Sequence, residues 1–247
     1  MRFGEVLREA SGAEATAALR TFDQAAWSLG FSTLSTMNDR EPFDVEASVV
    51  MLTVLLGRRD LRLSRFVSVL TQWLRRYHGL VNPQKLLKIG RSAEKALGDL
   101  PLLRLAFFVL RNSDPKRFKK FETAPLKDPF YLDPRLRDLV DRDIAKKGMF
   151  LGLSPSSGLM FPEGAFKERD SDLLPEAALL SRNMQLRLRL LLGANSRSDA
   201  AYQLARSPDV SARQLARIIF LSYEPAHRLK QELCRPEAIE ILRRIGA

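Results

Sequence analysis

The chain has 247 residues and carries 40 Lys and Arg residues against 29 Asp and Glu residues, a net charge of +11 at neutral pH. Apolar residues make up 45% of it, near the globular average, which argues against a wholly disordered or fibrous chain. The single cysteine, Cys234, has no partner for an intramolecular disulfide, and with two histidines it supplies too few ligands for a Cys/His zinc site. The excess of positive charge indicates a polyanionic partner.

The longest uncharged stretches, residues 47–57 and 148–162, have 11 and 15 residues. Both are shorter than the roughly 18 to 20 apolar residues that a membrane span requires. The first ten residues lack the apolar segment of a signal peptide. We therefore expect a soluble, cytoplasmic protein that has no membrane partner.

Residues 1–112 are predicted to form a helical N-terminal domain, because apolar residues recur there at helical spacing. Residues 38–42 form a polar loop in this prediction. Lys85, Lys88 and Lys95 are expected on the exposed side of their helix. The predicted helices cover residues 13–29, 45–56, 63–77 and 83–97, and a further apolar segment covers residues 102–110.

Residues 113–181 are predicted to be a connector, because four prolines between residues 113 and 134 interrupt regular elements. Within it, Pro134 begins a predicted helix that runs to Lys147. Two short apolar runs then flank a Ser-Pro-Ser-Ser-Gly segment, which predicts a β-hairpin near residues 148–161.

Residues 182–247 hold more than half of the net charge, with twelve basic residues, eleven of them Arg, against six acidic residues. The planar fork of Arg suits phosphate oxygens and guanine edges. The alternative explanation is a GC-rich source, in which Arg is frequent throughout the proteome.

Three helices are predicted within this C-terminal region, over residues 196–206, 211–220 and 222–233. Ser196 with Asp199, and Ser211 with Gln214, have the spacing of a helix-start pair, and Ser222 is the predicted N-cap of the third helix. Helix, loop, helix, tight turn, helix is the plan of a helix-turn-helix.

This segment resembles the DNA-binding core of winged-helix bacterial transcription regulators, over about a sixth of the chain. Two features depart from that family. Phe220-Leu221 stands where the turn usually contains Gly, and residues 236–245 predict a helix where the family places a β-hairpin wing. The residues that carry the resemblance are Ser211, Arg213, Leu215, Ala216, Arg217, Ser222, Ala226, Arg228, Leu229 and Leu233.

The expected fold class is therefore mainly α, with a helical N-terminal domain, a C-terminal trihelical, winged-helix-like domain (residues 182–247) and a candidate hairpin. The resemblance implies that the third helix enters the major groove, with Arg228 pairing with guanine and with Tyr223 or His227 contacting a base or a phosphate. Glu224 on the same helix opposes phosphate binding unless it accepts a hydrogen bond from cytosine. Residues predicted to bind DNA are Arg197, Ser211, Arg213, Arg217, Ser222, Tyr223, His227 and Arg228.

The implied partners are double-stranded DNA, a second copy of the chain in a homodimer, and a protein partner that contacts the N-terminal domain. No cofactor, metal or enzymatic activity is expected, because the phosphate-loop, dinucleotide, zinc-protease and serine-hydrolase motifs do not occur. The carboxylates of Asp138, Asp141 and Asp143 could suggest a metal site. Basic residues four positions away along the same helix explain them better as members of surface ion pairs.

Other interpretations stay open. In the main alternative, the chain is a protein-interaction adaptor whose degenerate helix-turn-helix does not bind DNA. Binding of single strands or RNA, or nucleic-acid processing, has only the charge in its favour. Burial of the third helix against residues 1–110 would count strongly against DNA binding.

Overall fold

The computed structural model describes residues 12–32, 42–57, 64–122 and 125–246. The described residues form a mainly helical structure in which β-pairing is limited to isolated bridges, so the predicted class of mainly α is confirmed. None of the helices in these ranges combines the length and the apolar character that crossing a bilayer requires. The α-helices are α1 (Gly12–Ser28), α2 (Val45–Leu56), α3 (Ser64–Tyr77), α4 (Pro83–Leu97), α5 (Pro101–Ser113), α6 (Arg137–Lys147), α7 (Glu176–Arg182), α8 (Met184–Leu192), α9 (Ser196–Arg206), α10 (Ala212–Ile218), α11 (Tyr223–Leu233) and α12 (Pro236–Gly246).

These bounds confirm the predicted helices to within a few residues in the parts of the chain that are described. The predicted loop at residues 38–42 lies outside them except for its last residue. The hairpin prediction for residues 148–161 was wrong. One antiparallel bridge joins Met149 to Pro162, but short 3-10 turns and two glycines in the left-handed region, Gly152 and Gly158, replace the strands.

Two details of the helix starts bear on the C-terminal region. α10 begins as predicted, since Ser211 accepts a hydrogen bond from the backbone N–H of Gln214 and the Gln214 side chain accepts one in return. α9 does not begin with a Ser196–Asp199 pair. Its N-cap is Asn195, which forms a reciprocal capping box with Ser198, and Asp199 is buried.

The apolar core has a larger and a smaller cluster. α2 is apolar on nearly all sides and packs against α1, α3, α4 and α5 in the larger cluster, which takes in residues between Phe22 and Leu186. Phe118 and Phe121, from the predicted connector, belong to this cluster as well. The smaller cluster lies between Leu188 and Leu242 and joins α8 to α12. The predicted domain boundaries stay predictions.

A buried charge network connects the two clusters. Arg189 on α8 has a fully buried side chain that donates to both carboxylate oxygens of Glu46 at 2.6 and 2.7 Å. It also donates to Asp199 on α9 at 2.6 Å and to the Leu80 carbonyl at 2.8 Å. One guanidinium therefore ties α2, α8, α9 and the turn before α4 together.

The second cation of the network is Lys85 on α4, whose predicted exposure was wrong because it is only 4% exposed. Its ammonium group donates to Asp44 and lies 3.7 Å from Asp199. Asn82 and Gln185 also donate side-chain hydrogen bonds to Asp199, at 2.8 and 3.1 Å. Charged groups buried at this depth need such partners, because an isolated buried charge costs several kcal/mol.

We expect Arg189→Met to lower the free energy of unfolding by about 3 to 5 kcal/mol, since it leaves Glu46 and Asp199 buried without their main cation. Arg182→Met, at the exposed end of α7, is the matched control and is expected to change it by less than about 0.5 kcal/mol. Urea unfolding followed by circular dichroism measures both values. Equal stability of the two variants would contradict a central role for Arg189.

Candidate nucleic-acid interface

The third helix of the predicted trihelical motif, α11, has one buried side. Ala226 and Leu233 are buried and Leu229 is half-buried in the smaller core cluster, where α11 packs against α9 and α10. Tyr223, at the start of the helix, is 50% exposed. α11 is therefore not buried against residues 1–110, the arrangement that would have counted against DNA binding.

Seven of the eight residues predicted to bind DNA are exposed, and His227 is half-buried. The rings of His227 and Tyr223 stack with centroids 5.5 Å apart. Arg197 forms an ion pair with Glu232 at 3.2 Å. Arg213, Arg217 and Arg228 form no ion pair with any other residue of the described ranges, so their guanidinium groups can bind an external anion. The seven exposed residues of the predicted DNA-binding set are Arg197, Ser211, Arg213, Arg217, Ser222, Tyr223 and Arg228.

The tight turn between α10 and α11 contains a residue in a backbone conformation that usually favours Gly. Phe220 has a φ of 58°, in the left-handed region that strains most side chains. Two contacts hold it there. Its ring packs against the larger core cluster, and its carbonyl accepts a hydrogen bond from Lys88 on α4. The turn is thereby attached to the N-terminal helices.

A wide cleft of about 1850 Å³ opens between α4, residues 114–122, the start of α9 and α11. Its lining carries seven cationic side chains and a single carboxylate, that of Glu122. We call it the cationic cleft. Its cationic residues are Lys88, Arg91, Arg117, Lys119, Lys120, Arg197 and Arg228.

The cleft contains two of the predicted residues, Arg197 and Arg228. The other six are not part of its lining, so the structure does not gather all eight at one place. Five cationic residues of the cleft lie outside the C-terminal region and are not among the residues predicted from the sequence, because they belong to no recognisable binding motif. The sequence gives little indication that these residues bind a ligand, because basic side chains on a helix or in a turn are usually only solvated.

Lys119 and Lys120 are held in place by the residues on either side of them. Residues 114–122, which we call the Phe-anchored turn, begin where Asp114 accepts a hydrogen bond from the Arg117 backbone N–H at 3.0 Å. Phe118 and Phe121 are buried with ring centroids 5.1 Å apart, and both lysines between them are exposed. The two buried phenylalanines flank the two lysines and therefore keep both charges on the outer side of the turn.

Arg117 has a mainly structural part in the cleft. It donates to the Val81 carbonyl at 2.8 Å and to the Ala194 carbonyl at 3.5 Å. These contacts join the Phe-anchored turn to the starts of α4 and α9. They hold the walls of the cleft together.

Three carboxylates, from Asp44, Glu46 and Asp199, have oxygens within 4.8 Å of one another, a spacing that a metal ion can use. Arg189 and Lys85 already occupy the space among them as cations, so the group is explained as an ion-pair network. Burial opposes ionisation of Asp44, but the charges of Lys85 and Arg189 outweigh it and lower its pKa from 3.8 to about 2. At Glu46, burial raises the pKa above its ordinary value, against the lowering effect of Arg189.

No protein-family model, curated protein or solved structure matches this chain. The exposed basic residues and the cationic cleft are therefore the features that bear on its function.

The pKa of Asp44 makes part of the stability depend on pH. Because its folded pKa of about 2 lies below its ordinary 3.8, the folded state binds this proton more weakly than the unfolded state. The resulting stabilisation, about 2 kcal/mol, is present above about pH 4 and is lost as the pH falls towards 2.

We expect Asp44→Asn, which keeps the helix cap of α2, to be less stable than the wild type by about 2 kcal/mol near neutral pH. The difference should shrink as the pH falls from about 4 to about 2. Urea unfolding across this range measures it. A difference that stays constant with pH would show that the charge of Asp44 does not produce the effect.

Proposed function

We propose that this protein binds double-stranded DNA and regulates transcription, with α9, α10 and α11 acting as a helix-turn-helix. The observation that carries the proposal is the exposure of α11. Its apolar residues pack inwards, while Tyr223 and Arg228 remain open to a ligand, with Arg228 also on the wall of the cationic cleft. An α-helix inserted in the major groove contacts bases from such a side.

The residues around α11 support this proposal by their charge. Arg213 and Arg217 on the neighbouring α10 are exposed and form no ion pair with another described residue, so they suit phosphate oxygens beside the groove. Arg228 is the candidate for a bidentate contact with guanine. Contacts to phosphate fix the register of the protein on DNA, and the contact to guanine reads its sequence.

The absence of a wing limits the proposed contact area. α12 (Pro236–Gly246) follows α11 directly, so the described residues after α11 hold a helix where winged-helix proteins have a hairpin. One trihelical module buries little surface on DNA. We therefore propose that a homodimer binds two half-sites, separated by about one helical turn of DNA.

A protein-interaction adaptor is the second candidate, and exposed apolar residues favour it. Leu190 and Leu191 at the end of α8 are 56% and 63% exposed, and Ile241 on α12 is 59% exposed. Neighbouring exposed apolar side chains such as Leu190 and Leu191 are frequent at protein–protein contacts. An adaptor would form a stoichiometric complex with a protein partner and would show no affinity for DNA.

For the first candidate, we expect nanomolar to micromolar binding of a mixed-sequence duplex that weakens steeply with salt, because counterions are released from the DNA. Arg213→Ala with Arg228→Ala should weaken it by about tenfold or more at low salt, through the loss of two cationic contacts. Gel-shift titrations at several salt concentrations measure both effects.

The matched control replaces two exposed arginines outside α9–α11, Arg142→Ala with Arg182→Ala, and so removes the same charge. It should bind within about twofold of the wild type, since a surface charge outside the proposed contact acts only through screened electrostatics. Absent or salt-independent binding of the wild type would refute the DNA-binding proposal and favour the adaptor.

A further inference from the structure

The cationic cleft takes most of its charge from parts of the chain outside α9–α11. Arg91 lies on α4, and Lys119 and Lys120 lie in the Phe-anchored turn. Arg228 belongs both to α11 and to the lining of the cleft. A ligand bound by α11 therefore lies next to a second cationic surface.

The charge of the second cationic surface, formed by Arg91, Lys119 and Lys120, is not compensated by acidic residues within the described ranges. Arg91, Lys119 and Lys120 are exposed and have no acidic partner in those ranges. Glu122, the carboxylate of the cleft, lies 3.6 Å from Arg111, which is not in the lining, and is shared with that arginine. Gathering so many like charges destabilises a folded chain unless an anion binds them, so the cleft is suited to a polyanion.

Two helix starts add to the positive potential. Asn82, Pro83 and Gln84 at the start of α4 line the cleft, as do Asn195 and Ser196 at the start of α9. The N-terminus of a helix carries a partial positive charge that favours phosphate groups. Both partial charges add to the cationic side chains at the same opening.

Size and lining narrow the class of ligand. The cleft, at about 1850 Å³, exceeds the roughly 300 to 1,000 Å³ of small-molecule sites, which favours a polymer. Proteins that bind single strands offer exposed aromatic rings for stacking. The aromatic residue in the described lining, Phe121, is only 3% exposed, so the cleft offers cations for phosphates without a stacking surface for bases.

We infer that the cationic cleft binds the sugar–phosphate backbone of the same DNA duplex whose major groove receives α11. This inference rests on the proposed function and extends it, because it assigns the N-terminal helices a direct part in DNA binding. Lys119, Lys120 and Arg91 contact phosphates beside the sequence that α11 reads, and Arg228 lies at the junction.

The test compares Lys119→Ala with Lys120→Ala against the wild type, using a fluorescent mixed-sequence duplex of about 30 base pairs, roughly three helical turns. Fluorescence anisotropy titrations at several salt concentrations give the dependence of the binding constant on salt. Loss of two phosphate contacts should reduce the slope of log K against log salt by about 2 and weaken binding by about tenfold near 0.15 M salt.

The matched control is Lys146→Ala with Lys147→Ala, which removes the same charge from the exposed side of α6, outside the cleft. It should bind with an unchanged slope and within about twofold of the wild type. Thermal unfolding of each variant verifies that both remain folded, as their exposed positions lead us to expect.

The outcomes separate this inference from the proposed function. If Arg213→Ala with Arg228→Ala weakens duplex binding but the Lys119 and Lys120 variant binds like the wild type, the cleft does not contact the duplex and the proposed function stands. If the two lysines matter only for a single-stranded DNA or RNA probe, the inference is overturned in favour of a single-strand site. If the wild type does not bind the duplex at low salt, the proposed function and the inference both fail.

Discussion

The packing of α8 and α9 against the N-terminal helices depends on the buried guanidinium of Arg189. It bonds to Glu46 on α2, to Asp199 on α9 and to the Leu80 carbonyl, with no exposed surface of its own. A charge at this depth is tolerated only if its partners stay in place. The same geometry that satisfies Arg189 therefore fixes α8 and α9 against the N-terminal helices.

The cationic cleft is a consequence of that arrangement. Because α9 is fixed by Asp199 and the α10–α11 turn is attached to α4 through Lys88, α11 stands opposite the start of α4 and the Phe-anchored turn. The positive charge of the chain is thus divided between two environments. Arg189 and Lys85 are neutralised in the interior, whereas Arg91, Lys119, Lys120 and Arg228 in the cleft are exposed and have no acidic partner among the described residues.

The local pattern of the sequence predicted the helices well, because their signals lie within each segment. The apolar run of α2 ends at Gly57, α4 begins at Asn82-Pro83, and Ser211 caps α10 with Gln214, all as expected. Predictions that depended on the environment were less successful. Lys85 has the spacing of an exposed lysine but is buried. Its carboxylate partners Asp44, Glu46 and Asp199 lie 39 or more residues away along the chain, so no local signal indicates its burial.

The sequence by itself determined the mainly helical class, the bounds of most helices and the concentration of Arg near the C-terminus, since periodicity, capping residues and composition are properties of the chain. The tertiary structure decided which charges are buried and which face solvent. It brought Lys119 and Lys120 to the same cleft as Arg228, more than a hundred residues later. Such a site depends on long-range packing of α4, the Phe-anchored turn and α11, for which no short segment of sequence carries a signal.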